Sequence, residues 1–349
     1  MLRWLASLAA VALALAVPLA MPWLKTPVLL ALATGLAALG VIILIRAGQV
    51  SFGNALFLAV GGYAVSFAAR LWHLDALLLI VLGTAAGTAT GALLGLFVVR
   101  YRGIFFGMLN LAFSMMLFAV LGKFGEVTGG TDGLRFDRPT LAGRLLDRDG
   151  FESALLGLAL LAAVAACLLV RRYFDSVSGQ RLAAIKTNET RLEYLGISAR
   201  RTFFGAYVFA AALAGLGGSL FALAQGLVTP ELGYWVRSGE LVFIAILGGS
   251  AHAVGAFVGA FVFEFVKLYA AALLTGAWQL VLGLVLIAMV FAAPTGLVGL
   301  ALQRFGRGKP TPLAAAPEPA ARAERHAVPK SARLPAGDRP MVPSDERLS

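Results

Sequence analysis

The feature that most constrains this chain is a succession of apolar runs, each long enough to cross a bilayer. A spanning helix needs about 20 mostly apolar residues, because each residue rises about 1.5 Å through a hydrocarbon core about 30 Å thick. Such runs occur at Leu5–Leu24, Pro27–Ile45, Phe52–Leu71, Ala76–Val98, Gly103–Leu121, Ser153–Val170, Phe203–Gly226, Val254–Thr275 and Gly276–Val298. Leu241–Gly249 is also apolar, but it is too short to span without Glu240 and its neighbours. Counted as a broken span it gives about ten crossings, and as a re-entrant element about nine. The expected fold class is all-α: a polytopic integral membrane helical bundle of about ten transmembrane segments with a broken or re-entrant element.

Composition points the same way. Of 349 residues, 60% are hydrophobic and 13% charged, whereas soluble domains sit near 45–50% apolar and about a quarter charged. That balance excludes a water-soluble enzyme, a disordered protein and a nucleic-acid binder. The net charge of +11 resides in loops and in the C-terminal stretch, so it does not imply nucleic acid. The single cysteine, Cys167, lies inside an apolar run, which leaves no disulfide framework and no thiolate metal site.

Arg3 before the first run imitates a signal peptide, but several spans follow, so it reads as an uncleaved signal-anchor. The segment Arg171–Arg201 holds seven Lys/Arg against three acids, and the positive-inside bias places it in the cytoplasm. Counting back puts Arg100, Arg102, Arg46 and Arg3 on that side, and counting forward puts the tail there too. Both termini are thus expected in the cytoplasm. The loop Lys123–Glu152, with five basic and six acidic residues, then lies outside. Residues 1–302 read as the membrane domain, with the cytoplasmic loop at 171–202 and the external loop at 123–152. Residues 303–349 hold nine Lys/Arg, five Asp/Glu and eight prolines without an apolar stripe. Such a tail cannot bury enough apolar surface to offset chain entropy and is expected to be disordered.

No motif for bond-breaking chemistry is present. His73, His252 and His326 are far apart, no P-loop or nucleophile elbow occurs, and no metal-ligand pair is visible. Gly215-Leu216-Gly217-Gly218 lies inside an apolar span, where small residues let helices approach closely. Intramembrane polar groups are costly and therefore informative. Glu264 and Lys267, three apart, can pair on one helix as a structural ion pair facing the bundle. Asn110 and Gln225 can line a path or bond between helices. Gln49, Ser51 and Asn54, with Arg46, Gly48 and Gly53, form a polar break between two apolar runs. Irregular backbone at such depth survives only buried in protein or lining a cavity. Gly48–Asn54 is therefore the candidate pathway, with Gln49, Ser51, Asn54 and Asn110 as its polar residues.

Within the basic loop, Leu182, Ala184 and Ile185 share a face of a short helix, Thr187 or Asn188 can cap a second turn, and Gly196 supplies a stop. The apolar face must dock on something, either the lipid surface or a groove on a cytoplasmic partner.

These residues carry a family resemblance. The loop G-x-x-L-x-A-I-x-x-N-E-x-x-x-x-x-L-G-I, from Gly179 to Ile197, resembles the coupling loop of ABC-transporter permeases of the branched-chain amino-acid group. Gly48-Gln49-Val50-Ser51-Phe52-Gly53-Asn54 resembles that group's G-Q-x-S-x-G-H, with Asn54 in place of the family's His. Arg102-Gly103-Ile104-Phe105-Phe106, Leu111-Ala112-Phe113 and Thr128-Gly129-Gly130-Thr131-Asp132-Gly133 continue the likeness, as do Thr229-Pro230-Glu231, Ser238-Gly239-Glu240 and Leu247-Gly248-Gly249. It covers roughly Thr34 to Gly299 and looks closest to the LivM-type subunit.

The resemblance implies a non-enzymatic importer subunit in a bacterial inner membrane. Its implied partners are a second, LivH-type permease, two cytoplasmic ATPase subunits and a periplasmic substrate-binding protein. Gly179, Ala184, Ile185, Asn188, Glu189 and Gly196 correspond to the ATPase-docking loop. The chain itself is expected to bind no cofactor, ATP being used by the partner subunits. Related permeases handle urea, short amides or other amino acids, so these stand beside Leu, Ile and Val as substrates. An ion-coupled secondary carrier is the competing class, for which Glu240 and Glu264 are the acidic candidates.

Overall fold

In the computed structural model the described residues are 21–72, 74–273 and 295–305, with a few isolated positions between 280 and 291. Among them, seven helices are long and apolar enough to cross a membrane. They are α1 (Lys25–Arg46), α2 (Asn54–Trp72), α3 (Ala76–Val98), α4 (Gly103–Lys123), α5 (Arg148–Asp175), α8 (Ala199–Gln225) and α10 (Ala253–Leu273). Two short helices, α6 (Val177–Thr187) and α7 (Glu189–Tyr194), join α5 to α8, while α9 (Trp235–Gly248) precedes α10 and α11 (Gly296–Phe305) closes the described chain.

Among the described residues, seven of the expected spans are thus present as continuous helices. The runs Leu5–Leu24 and Gly276–Val298 fall for the most part outside the described residues. The short run at Leu241–Gly249 belongs to α9, whose 14 residues reach only about 21 Å at helical rise, less than a bilayer core. It is an incomplete crossing. The expected tail begins inside α11, which includes Gln303–Phe305, and its remainder lies outside the described residues.

A helix that is apolar all round belongs in the middle of a bundle, and α1 is such a helix. Its one central polar side chain, Thr34, returns its hydroxyl to the Leu30 carbonyl at 2.8 Å, and its residues from Val28 to Leu44 are almost all buried. Around it pack α8, α10, α5 and α9.

The second organising helix is α8, which brings α1, α2 and α3 to backbone contact. On α3 the buried glycines Gly83, Gly87, Gly91 and Gly95 recur every fourth residue on one face, the small-residue spacing that lets membrane helices close up. A methyl on Gly87 would lie 2.7 Å from the Gly215 Cα, and one on Gly40 would lie 2.7 Å from the Ala210 carbonyl. Gly217 meets the Ala33 carbonyl and Gly218 the Leu58 carbonyl more closely still. The other face of α3 is apolar and exposed through Leu78, Val81, Leu93 and Leu96.

Helix α4 is inverted relative to a soluble helix. Its buried face carries Phe106, Asn110 and Ser114, while Ile104, Phe105, Met108 and Met116 are exposed. Polar groups turned inward and hydrocarbon turned outward are what a lipid solvent selects.

The two ends of the bundle differ. At one, Arg46, Arg102 and the α6–α7 segment converge. At the other, the segment after α4 forms a single turn at Gly125–Thr128 and a strand, β1 (Leu134–Arg135), antiparallel to β2 (Leu227–Val228). That pair is a small departure from an all-α chain. Asp75 caps α3 through the Leu77 amide and also accepts from Gly143 N, while Lys25 reaches Asp149 at 3.7 Å. Helix α5 begins before the expected Ser153 and runs past Val170, because Asp149 near its start and Arg172 near its end suit the helix dipole.

Candidate functional site

The break between α1 and α2 is built from its own polar side chains. Gly48, at φ +74°, ends α1 in the left-handed conformation that a glycine cap takes; its N–H goes to the Ile45 carbonyl and the Gln49 N–H to Leu44. Gln49 Oε1 accepts the Gly103 N–H at 2.6 Å. Ser51 Oγ accepts from Gly53 N at 3.3 Å, and Ser238 Oγ, on α9, accepts from Ala55 N at 3.1 Å. Gln49 and Ser51 therefore satisfy irregular backbone, as buried N–H groups require.

Asn110 sits directly over Gly53, where an added Cβ would come 2.8 Å from the Asn110 Cβ. Its Nδ2 donates to the Phe106 carbonyl at 2.8 Å and its Oδ1 accepts from the Tyr207 hydroxyl at 2.6 Å. Asn54 differs from the other three. It is wholly buried, and neither Oδ1 nor Nδ2 has a partner. A buried unpaired amide costs about 1–3 kcal/mol, so the fold holds a spare hydrogen-bonding amide at the break.

Beside it starts the incomplete helix. The turn Pro230–Gly233 rests against the middle of α4, where Ser114 Oγ donates to the Gly233 carbonyl at 2.7 Å. From there α9 begins inside the bundle, with Trp235 and Val236 at its first turn 40% and 39% exposed. Discontinuous helices of this kind are how membrane transporters bring backbone dipoles to the midplane.

Glu264 and Lys267, expected to pair with each other, each join a network that runs across two helices. Lys267 Nζ reaches Glu240 Oε1 at 3.2 Å, across the α9–α10 interface. Arg237 pairs with Glu240 and lies 3.8 Å from Glu264, and its guanidinium is 5.5 Å from the Phe221 ring centroid. Two cations and two carboxylates neutralise one another while staying largely buried, as charges within a membrane bundle must. The sequence reading missed Arg237, although a lone Arg ahead of an apolar run was the available signal.

The α6–α7 segment has the local structure expected from its sequence. Ser176 caps α6 and Asn188 caps α7, the latter accepting the Arg191 N–H at 2.9 Å. Gly196, at φ +76°, turns the chain, and Ile197 N returns to Leu192 O. The docking partner of its apolar face is corrected by the structure: Leu182, Ile185 and Leu192 are buried on this chain's own helices, α8 and α5 above all, and not on lipid or another protein.

The six residues singled out in that segment mostly shape it. Gly179 abuts the Tyr173 carbonyl and lies 2.7 Å, by its missing Cβ, from the Phe174 Cα. Ile185 is buried, Ala184 half-buried, Asn188 a cap and Gly196 a turn. Glu189 forms a two-pronged pair with Arg102, Oε1 to Nη2 at 2.8 Å and Oε2 to Nε at 3.0 Å. What protrudes is the tip, with Tyr194 88% and Leu195 70% exposed. The structure brings Gln49, Ser51, Asn54 and Asn110 together at the break and sets the α6–α7 segment directly beneath them, since a Cβ on Gly48 would meet Lys186 Cγ at 2.9 Å.

At the opposite end an open cavity of about 890 Å³ is lined by Arg70, Glu126, Asp132, Arg135 and Asp137, among others.

Residues 24–290 match the family model described as "Branched-chain amino acid transport system / permease component". The chain belongs to that family. It is 29% identical, over 58% of its length, to the high-affinity branched-chain amino acid transport system permease protein LivM of Escherichia coli K12, and 28% identical over the same share to LivM of Salmonella typhimurium LT2. A LivH-named branched-chain amino acid transport permease of Methanocaldococcus jannaschii is 24% identical over 74% of this chain and 85% of its own length. The chain spans about half the length of the LivM relatives it matches, 52% of each. No solved structure matches it. Its relatives are permease components and not enzymes, and family and helices together make this a multi-pass membrane protein.

Proposed function

We propose that this chain is a translocation subunit of an ATP-driven importer for branched-chain amino acids in a bacterial inner membrane. It works beside a second, LivH-type permease, two cytoplasmic ATPase subunits and a periplasmic binding protein. The observation that carries this reading is the elbow Ser176–Ser198. It is a capped two-helix unit seated on the bundle with an exposed Tyr194-Leu195 tip, placed directly under the polar break between α1 and α2. The chain has no P-loop, so energy comes from partners that grip this tip.

In this mechanism the ATPases favour one arrangement of the elbow, since a partner binding both arrangements equally would shift nothing. Movement of the elbow opens the seam between α2, α4 and α9. Cargo released by the binding protein enters through the mixed-charge cavity near Arg70 and Asp132. It passes apolar walls and meets the spare amide of Asn54. Both chain termini lie in the cytoplasm.

The test is uptake by proteoliposomes holding this chain with its partner permease, ATPases and binding protein, offered leucine, isoleucine, valine, urea and acetamide. ATP-dependent accumulation of the aliphatic amino acids is expected. Concentration of any solute by the purified chain alone, driven by a proton or sodium gradient, overturns the reading in favour of a secondary carrier.

A further inference from the structure

The two-pronged Arg102–Glu189 contact has a continuation on its far side. Arg102 closes α3: its Nη1 donates to the Val99 and Tyr101 carbonyls. Its guanidinium lies 4.7 Å from the Phe203 ring centroid, on α8. The next residue, Gly103, takes φ +59° and gives its N–H to Gln49 Oε1 at 2.6 Å. Two consecutive residues, the last of the α3–α4 connector and the first of α4, thus hold the elbow with one hand and the α1–α2 break with the other. The peptide unit between them is planar and stiff, so displacement at Glu189 reaches Gln49 through one side chain and one peptide. Both members of the pair are partly shielded, at 23% and 33% side-chain exposure, where a charge-assisted fork outlasts ionic screening better than an exposed pair.

We propose that Arg102 is a positioning residue for transport: acting through Glu189 and Gln49, it transmits movement of the ATPase-gripped elbow to the break that opens the path. This deepens the proposed importer reading and rests on it. Glu189 accordingly serves as an internal strut and not as a contact for the ATPase. The requirement is geometric. Lysine keeps the charge but cannot form the planar fork, so Arg102→Lys breaks the strut without removing the cation.

Two measurements test it. The first is amide hydrogen exchange on the full chain in lipid nanodiscs. Exchange over residues 47–53 is expected to quicken about tenfold in Arg102→Lys and in Glu189→Gln, the scale of losing one charge-assisted hydrogen bond. Unchanged exchange there, with changes confined to residues 186–196, overturns the proposal. The second is the ATP hydrolysed per leucine imported by the full assembly, a ratio that a packing defect alone does not move. It is expected to rise about tenfold in both single variants. It is expected to recover in the swap of Arg102→Glu with Glu189→Arg, and an unaltered ratio in Arg102→Lys overturns the proposal. Should the wild-type assembly show no ATP dependence, the importer reading falls and this proposal with it, while the exchange result still decides whether the strut exists.

Discussion

The Tyr207 hydroxyl, from the first half of α8, donates to Asn110 Oδ1 at 2.6 Å and holds that amide over Gly53 at the start of the second helix. The tyrosine is 1% exposed, and its ring meets Phe57 and Phe106 edge-on. One hydroxyl thus joins a buried wall of the bundle to the polar break. Tyr207→Phe leaves Asn110 Oδ1 without its donor and is expected to cost about 1–3 kcal/mol. A drop in melting temperature of the detergent-purified chain measures it; an unchanged melting temperature would show that the amide finds another donor.

Asn54 predicts the opposite sign. Its amide has no partner, so Asn54→Leu, close in volume and apolar, removes a desolvation penalty and is expected to stabilise the chain by about 1–2 kcal/mol. Leucine uptake by the assembled transporter is expected to fall in the same variant. Gain of stability with loss of transport separates a functional amide from a structural one.

Glycines on α3 and α5 give a matched comparison. Gly87→Ala presses a methyl against the Gly215 backbone, whereas Gly157→Ala meets nothing within 4 Å. The first is expected to destabilise by about 1–3 kcal/mol and the second to be neutral or mildly stabilising. Equal folded yields for the two would contradict the close contact of α3 with α8.

The charge network is tested by removing one member and then two. Glu240→Ala leaves Arg237 and Lys267 without the carboxylate they share, and loss of one partner from a buried network costs about 3–5 kcal/mol. Pairing Glu240→Met with Arg237→Met leaves one acid and one base, Glu264 and Lys267, on α10. That double variant is expected to retain more folded protein than Glu240→Ala, read by fluorescence-detected size exclusion.

Long helices were legible because the apolar runs are long. The boundaries of α3 match the run Ala76–Val98, where Asp75 supplies a cap the sequence shows plainly. The Asn188 cap of α7 and the Gly196 turn after it were also readable, since Asn and Gly at helix ends act locally. What the sequence could not show is where those local units dock. The face of Leu182 and Ile185 is satisfied by the chain's own helices, and only three-dimensional packing decides between that and a foreign surface. Pairing suffered likewise. Lys267 has an acid three residues away and still reaches Glu240 on another helix. Glu189, quoted as part of a docking motif, is engaged by an arginine 87 positions earlier. Sequence spacing speaks for neighbours along one helix and is silent about those across an interface.

Gly215 lies on α8 where the main chains of α2 and α3 both come within touching distance, at Gly61 and Gly87. With no side chain at any of the three positions, nothing at that junction can be trimmed to make room. Enlarging one partner has to spread the other two apart, so the junction is defined by what its residues lack.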